Sequence, residues 1–165
     1  LVGLPKGKRA DLIVEKATEL GVAKISFWQA QHSVPILRDG QEQAKVDRWK
    51  RVAEAAAKQC QRQTIPNISF FNSLESLLTS LQSASGNAAK LLCCSLSEDA
   101  LPLRQLLPPK HEVHLVIGPE GDFSESELNQ LRNSAFEFIN LGSTTLRVET
   151  AAIAAVAQVD ALWGY

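Results

Sequence analysis

The sequence predicts one α/β domain, residues 1–165, built on a mostly parallel sheet with flanking helices. Short apolar stretches of strand character alternate along the chain with longer stretches whose apolar residues recur at helical spacing. Two strand-like stretches, Lys90–Cys94 (KLLCC) and Val113–Ile117 (VHLVI), are apolar almost throughout. Such runs are typical of strands that are covered by helices on both faces of a sheet. No repeat or long linker divides the chain.

The first third of the chain predicts two helices around a strand. A helix over residues 8–20 ends at Gly21, and its apolar face comprises Leu12, Ile13, Ala17 and Leu20. A strand follows over Lys24–Trp28 (KISFW). A long helix over 41–61 comes next, with a core face of Val46, Trp49, Ala53, Ala56 and Ala57.

The middle of the chain alternates in the same way. A short strand over 68–71 precedes a helix over 74–82 that Ser73 caps, and 83–87 is expected to be a surface loop. The strand Lys90–Cys94 follows. The stretch 101–107 has helix-like spacing and ends at Pro108-Pro109.

The last third predicts two further strands and two helices. After Val113–Ile117, Ser124 and Glu127 form the pattern of a capping box and open a helix over 124–134. A strand over 136–140 leads to an alanine-rich helix over 150–162. Its small side chains suit close packing, either against its own sheet or against a second copy of the chain.

The charge is divided unevenly between the two halves of the chain. Seventeen Lys and Arg face eighteen Asp and Glu, which gives a formal net charge of −1. Residues 1–62 carry twelve basic and seven acidic residues, whereas 63–165 carry five and eleven. A basic half suits contacts to RNA phosphates, although any one surface Lys or Arg is more often only solvated.

Several classes of protein are excluded or disfavoured. No stretch approaches 18 uncharged apolar residues, and the amino terminus has no apolar core of a secretory signal, so we expect no membrane partner. Cys60, Cys93 and Cys94 form an odd set without zinc spacing, which favours a reducing compartment, apolar packing of the thiols and no metal. The absence of Met indicates a processed chain or a piece of a longer one.

Three loops after predicted strands have the composition of a ligand site. They are Ser95-Leu96-Ser97-Glu98, Gly118-Pro119-Glu120-Gly121-Asp122-Phe123-Ser124, and Leu141-Gly142-Ser143 with the following residues 144–150. The carboxyl ends of parallel strands share one edge of a sheet, where α/β proteins bind ligands. Neither the dinucleotide nor the P-loop motif occurs. The alternative is that Gly118 and Gly121 only shape a turn before a capped helix.

Three segments in order carry a family resemblance. They are K-G-K-R at 6–9 with E-K-A-T-E-L-G-V at 15–22, then G-P-E-G at 118–121, then L-G-S at 141–143 with L-R-V-E-T-A at 146–151. In this combination the chain resembles the RsmE family of SPOUT-superfamily methyltransferases. That family methylates N3 of a uridine in 16S, the small-subunit ribosomal RNA.

The resemblance implies a deep trefoil knot near the carboxyl end, a homodimer, and S-adenosylmethionine as cofactor with S-adenosylhomocysteine as product. It also implies that this chain is the methyltransferase domain without the family's amino-terminal PUA-like domain. Asp122 stands where relatives often have a second glycine and adds a negative charge beside the pocket. The implied cofactor-binding residues are Cys94, Ser95, Leu96, Gly118, Pro119, Glu120, Gly121, Leu141, Gly142, Ser143, Leu146, Arg147 and Thr150.

The reaction that the resemblance implies needs the imide proton of uridine removed. A cation next to O2 or O4 favours the deprotonated imide, and Arg9 and Arg147 are the candidates. Glu19 or Glu149 is a candidate to orient these cations or relay the proton, and either is equally a structural partner. The predicted RNA-binding residues are Lys6, Lys8, Arg9 and Arg62, whereas His32, His111 and His114 receive no catalytic role.

Two other functions stay open at this point. One is a different SPOUT methyltransferase that acts on tRNA or on another atom of the base. The other is a non-catalytic RNA-binding or ribosome assembly factor with a degenerate pocket. The expected location is the bacterial cytoplasm, with an organelle as the alternative if a preceding segment carries a transit peptide.

Overall fold

A computed structural model describes residues 1–37, 40–84, 89–109 and 111–164. Its centre is a seven-stranded sheet in the order β3-β2-β1-β6-β4-β7-β5, in which every recorded pairing is parallel. The predicted α/β class and parallel sheet are therefore confirmed. The trefoil knot stays a prediction. The strands are β1 (Val2–Gly3), β2 (Lys24–Trp28), β3 (Asn67–Phe71), β4 (Lys90–Cys94), β5 (Leu101–Pro102), β6 (Val113–Ile117) and β7 (Glu137–Asn140).

Five α-helices cover the two faces of the sheet. Helices α1, α2 and α5 pack on the face that contains Phe27 and Ile117, whereas α3 and α4 pack on the face that contains Trp28 and Val116. Consecutive strand residues thus enter opposite cores, as the two-residue period of a strand requires. The helices are α1 (Arg9–Glu19), α2 (Gln41–Gln59), α3 (Leu74–Ala84), α4 (Glu125–Asn133) and α5 (Val148–Trp163).

The predicted helix faces are confirmed for α2 and only in part for α1. All five predicted core residues of α2 are buried. In α1, Ile13 and Ala17 are buried as expected, but Leu12 is 39% exposed. Val14 and Thr18 take the inner positions instead, because they share a face with Ala10 and Ala17 at helical spacing. Leu20 is half-buried just beyond the end of the helix.

The prediction of a helix-like segment over 101–107 was wrong. Leu101 and Pro102 form the short edge strand β5, paired with Ile139 and Asn140 of β7. A single 3₁₀ turn, Leu103–Gln105, follows. Pro102 explains the difference, since proline disfavours helical backbone at the preceding residue and is tolerated at a sheet edge.

Two further boundaries differ from the sequence prediction. Strand β1 has only two residues, too few to show a periodic pattern, and so was missed although it lies between β2 and β6. The predicted loop over 83–87 begins too early, because α3 continues to Ala84. Its residues 85–87 lie outside the described part of the chain.

Both predicted helix caps are present. Ser73 accepts a hydrogen bond from the Ser76 N–H at 3.1 Å. At α4, Ser124 and Glu127 form the complete capping box. Glu127 is only 5% exposed, and besides the Ser124 N–H it accepts hydrogen bonds from the Trp28 indole and the Gln31 N–H, both at 3.2 Å. One carboxylate thus ties α4 to the end of β2.

We expect Glu127→Ala to lower the free energy of unfolding by about 3 kcal/mol, because it strands buried donors that now bond to a charged acceptor. Urea denaturation measures this loss. The control Glu125→Ala removes an exposed carboxylate from the same helical turn and should cost less than about 1 kcal/mol. Similar losses for both variants would contradict the anchoring role of Glu127.

Candidate active site

Three loops meet at one edge of the sheet because β6, β4 and β7 are neighbours in it. The last residue of β4, Cys94, pairs with Ile117 at the end of β6 and with Ile139 near the end of β7. Beyond the strands, the Ser95 N–H still donates to the Ile139 carbonyl at 2.9 Å. The expected convergence of these loops is confirmed.

A cavity of about 350 Å³ opens where these loops meet. Its floor is the end of the sheet, and the start of α5 forms one wall. The sequence-predicted residues that line the cavity come from all three loops, from the start of α1 and from the segment directly before α5. They are Arg9, Cys94, Ser95, Leu96, Gly118, Pro119, Glu120, Leu141, Leu146 and Arg147.

Four predicted cofactor residues do not line this cavity. A Cβ at Gly121 would lie 2.9 Å from the His32 backbone oxygen, so this glycine serves close packing of the loop. Gly142 and Ser143 are exposed. Thr150 is exposed too, because Val148 and Ala151 form the face of α5 that borders the cavity.

Several residues of the cavity wall were not among the residues predicted from the sequence. Ile117 is the last residue of β6, and Val148 and Ala151 present the inner face of α5. Thr144 and Thr145 belong to the loop between β7 and α5. The helical period could have predicted the part of the wall that α5 contributes, because it places Val148 and Ala151, three residues apart, on one side of the helix.

Arg9 is held between two carboxylates at the rim of the cavity. Its Nη1 lies 2.5 Å from Glu120 Oε1, and its Nε lies 3.3 Å from Glu149 Oε2. Glu120 Oε1 also accepts a hydrogen bond from the Lys6 N–H at 2.8 Å. Burial opposes ionisation of Glu120, but the Lys6 N–H and the Arg9 guanidinium bring its pKa below the ordinary value. Arg9 thus connects α1, the loop after β6 and the start of α5.

Arg147 is in a different situation. It lines the same cavity directly before α5, it is exposed, and its side chain makes no ion pair or hydrogen bond with any residue that the structure describes. Of the two arginines proposed from the sequence, Arg9 forms ion pairs with carboxylates, whereas the guanidinium of Arg147 is available to contact a ligand in the cavity.

The structure separates Glu19 from the site. Glu19 ends α1, about 15 Å along the helix axis from Arg9. Its carboxylate pairs with Lys16 Nζ at 2.9 Å. Within this chain, the expectation that Glu19 orients Arg9 is wrong, because Glu149 and Glu120 occupy that position.

The predicted RNA-binding residues fall into two groups. Lys6 and Lys8 are exposed on the turn before α1, beside the cavity rim that Arg9 and Glu120 form. Arg62 instead donates hydrogen bonds to the carbonyls of Thr18 and Val22, at 2.8 and 3.1 Å. That side chain fixes the end of α1, and its contact to an RNA phosphate stays a prediction.

The cysteines at the site are unsuited to nucleophilic chemistry. Burial raises the pKa of the Cys93 thiol far above its ordinary value and that of Cys94 to about 12. Both thiols are therefore protonated at neutral pH, and a nucleophile needs the thiolate. They pack at the end of β4, as expected.

A second cavity of about 460 Å³ lies between the end of α1, the sheet and α5. Apolar side chains such as Ile13, Leu115, Ile153 and Val156 dominate its lining. It lies away from the three loops at the carboxyl ends of β4, β6 and β7.

Two kinds of feature are absent from the described residues. No helix in residues 1–37, 40–84, 89–109 and 111–164 has the length and hydropathy needed to cross a bilayer. No group of three or more His, Cys, Asp and Glu side chains in the same part of the chain is arranged to hold a metal ion.

The fold and the cavity define an α/β protein whose candidate ligand site lies at the carboxyl ends of parallel strands and whose sequence has no P-loop or dinucleotide motif. Comparison with known families makes this specific. The chain belongs to the RNA methyltransferase domain family, whose profile matches residues 1–160.

Relatives in this family are similar over nearly the whole chain. The ribosomal RNA small subunit methyltransferase E of Bacillus subtilis is 31% identical over 161 residues, which cover 96% of this chain and 63% of that protein. The protein of that name from Mycobacterium tuberculosis is also 31% identical, with 96% and 61% covered. The chain thus spans less than two thirds of the length of these relatives.

Solved structures agree with this placement. A ribosomal RNA small subunit methyltransferase E from Neisseria gonorrhoeae, bound to S-adenosyl methionine, is 26% identical with a TM-score of 0.87 over 98% of this chain and 65% of that chain. The TrmH/SpoU tRNA modifying enzyme of A. aeolicus, 16% identical over 98% of this chain and 72% of that chain, has a TM-score of 0.64. It shares the fold.

Proposed function

We propose that this chain is the catalytic domain of an S-adenosylmethionine-dependent methyltransferase that acts on N3 of a uridine in small-subunit ribosomal RNA. The observation that carries this proposal is the cavity at the carboxyl ends of β4, β6 and β7, in a chain of the RNA methyltransferase domain family. The names of the relatives support ribosomal RNA as the substrate.

The residues at the cavity fit S-adenosylmethionine. A volume of about 350 Å³ is in the range of small-molecule sites. Leu141, Leu146 and Ile117 offer apolar walls for a purine, and the loops after the three strands offer backbone groups. Glu120 and Asp122 are carboxylates on the lining, suited to a ligand that carries positive charge. When bound, the cofactor supplies a methyl group on a sulfonium.

We assign Arg147 the role of stabilising the uridine imide. Loss of the N3 proton leaves negative charge on O2 and O4, and a guanidinium next to either oxygen favours that form. Arg147 is exposed at the cavity and forms no ion pair with a residue in the described part of the chain, whereas Arg9 is bound by Glu120 and Glu149. Arg9 is therefore a positioning residue that holds the loop after β6 against α1.

Lys6 and Lys8 are the proposed phosphate contacts. They are exposed and adjacent to the cavity rim. The double variant Lys6→Ala/Lys8→Ala should weaken binding of a small-subunit ribosomal RNA fragment and lower the slope of log affinity against log salt by about 1 to 2. Filter binding across a salt series measures this. Lys50→Ala/Lys58→Ala on α2 is the matched control, and an equal change in slope there would contradict the assignment.

A homodimer is part of the proposal. The apolar cavity between α1 and α5 exposes part of Ile153 and Val156, and α5 has small residues that allow close approach of a second helix. Light scattering of the purified chain should give twice the mass of 18.0 kDa. The mass of a monomer at micromolar concentration would contradict this part.

Mass spectrometry of ribosomal RNA tests the substrate. RNA from a cell that lacks the protein should lose one N3-methyluridine from small-subunit rRNA, and the purified full-length protein with S-adenosylmethionine should restore it. Loss of a methyl group from tRNA or from another base atom would show a different methyltransferase. An unchanged methylation pattern together with altered ribosome assembly would favour a non-catalytic assembly factor.

A further inference from the structure

Asp122 is the carboxylate at the cavity that no cation neutralises. It lines the cavity and is exposed, and it forms no ion pair with any residue in the described ranges. Its backbone adopts φ 62°, the left-handed region that Asp and Asn tolerate better than most residues. Its Oδ1 accepts a hydrogen bond from the Phe123 N–H at 2.8 Å, which fixes the carboxylate in place.

The other charged groups around the cavity do not form an ion pair with Asp122 in the described part of the chain. Arg9 is paired with Glu120 and Glu149, and these three groups together carry one net negative charge. Arg147 brings one positive charge. The His32 ring, which completes the surroundings, lies 3.2 Å from the backbone oxygens of Gly121 and Asp122. The lining thus holds two arginines and two carboxylates, and of these carboxylates only Glu120 is paired with a cation among the described residues.

Asp122 lines the same cavity as Ile117 at the end of β6 and Leu141 after β7. A ligand that fills this cavity therefore lies beside the carboxylate. A partly enclosed site screens such an interaction less than open solvent does.

Charge is the property in which methyl donor and product differ most. S-adenosylmethionine has a sulfonium cation, and S-adenosylhomocysteine has a neutral thioether at the same atom. Contacts to the adenosine and amino-acid parts are common to both, so they cancel in the ratio of the two affinities. That ratio reports the charge near the sulfur and the space for one methyl group.

We propose that Asp122 is a specificity residue that makes the cavity bind the cationic methyl donor more tightly than the neutral product. This inference rests on the proposed function, since it takes S-adenosylmethionine as the ligand. Its consequence is that methyl transfer removes the attraction between the sulfur and Asp122, which favours release of the product and limits inhibition by it.

Asp122→Asn tests this role with little change in structure. Asparagine also adopts left-handed backbone, and its side-chain oxygen still accepts from the Phe123 N–H. Calorimetry on the purified full-length protein should show S-adenosylmethionine binding about five- to tenfold weaker in the variant. Sinefungin, which carries an ammonium in place of the sulfonium, should weaken equally. S-adenosylhomocysteine should stay within about twofold.

Two controls make the result specific. Asp160→Asn also removes one carboxylate charge, at a position about 18 Å along the helix axis from Val148 at the start of α5. It should leave the ratio of the S-adenosylmethionine and S-adenosylhomocysteine affinities unchanged. In the unaltered protein, raising the salt from 50 to 500 mM should reduce the preference for the two cationic ligands, because salt screens the carboxylate. Because the salt series uses the unaltered protein, its result does not depend on whether a variant folds.

The outcomes distinguish this inference from the proposed function. If neither S-adenosylmethionine nor S-adenosylhomocysteine binds the unaltered protein, the proposed function is wrong and the inference is overturned with it. If both bind, but Asp122→Asn changes all three affinities by one factor or none of them, only the role of Asp122 is overturned. A salt-independent ratio would overturn it as well.

Discussion

Replacing Arg147 by alanine is expected to lower kcat for RNA methylation about 100- to 1,000-fold, the effect of removing one preorganised group that stabilises developing charge. The affinity for S-adenosylmethionine should change less than about fivefold, because the loops after β4 and β6 remain intact. Single-turnover kinetics with the full-length protein and small-subunit rRNA measure the rate, and calorimetry measures the affinity. Arg147→Lys keeps the charge and should retain part of the rate.

Arg9→Ala is the informative comparison. It removes a cation that Glu120 and Glu149 already neutralise and that connects the loop after β6 to α1. We expect its main effect on cofactor affinity and on the order of that loop, with a smaller loss in kcat at saturating cofactor. A larger loss in kcat for Arg9→Ala than for Arg147→Ala would reverse the two assignments.

Filling the cavity should abolish cofactor binding. Ala151 is half-buried on the wall that α5 contributes. Ala151→Phe projects a ring into a space of about 350 Å³, and we expect the affinity for S-adenosylmethionine to fall at least about 100-fold, or about 2.7 kcal/mol. Calorimetry gives the affinity, and thermal unfolding shows whether the domain still folds.

Ala157→Phe is the matched control on the same helix. Ala157 is exposed and borders neither cavity. The affinity of the Ala157→Phe variant for S-adenosylmethionine should stay within about threefold of that of the unaltered protein. Light scattering shows whether either variant changes the oligomeric state. If Ala151→Phe folds and binds the cofactor normally, the ligand lies elsewhere.

Strong local signals account for what the sequence predicted correctly. The strands Lys24–Trp28, Lys90–Cys94 and Val113–Ile117 match their predicted bounds because each is a compact apolar run between turn signals. The loops after β4, β6 and β7 lie at the carboxyl ends of parallel strands, so the location of the site followed from the fold class. The capping box at Ser124 and Glu127 is another local pattern that the structure reproduces.

Tertiary context decided what the sequence could not show. The pairing of Cys94 with both Ile117 and Ile139 brings three loops together, and no local pattern gives that strand order. The family resemblance implied an RNA contact for Arg62, and only the structure shows that its guanidinium also donates to two carbonyls at and just after the end of α1. Likewise, only the structure separates Arg9, which has two acidic partners, from Arg147, which has no acidic partner among the residues that the structure describes.

A crystal structure of this chain with S-adenosylhomocysteine tests the central claim most directly. We predict the ligand in the cavity at the carboxyl ends of β4, β6 and β7, in contact with Leu96, with the loop 118–122 and with the segment 141–147. Density for the ligand in the apolar cavity between α1 and α5, or no density at a saturating concentration, would contradict the account.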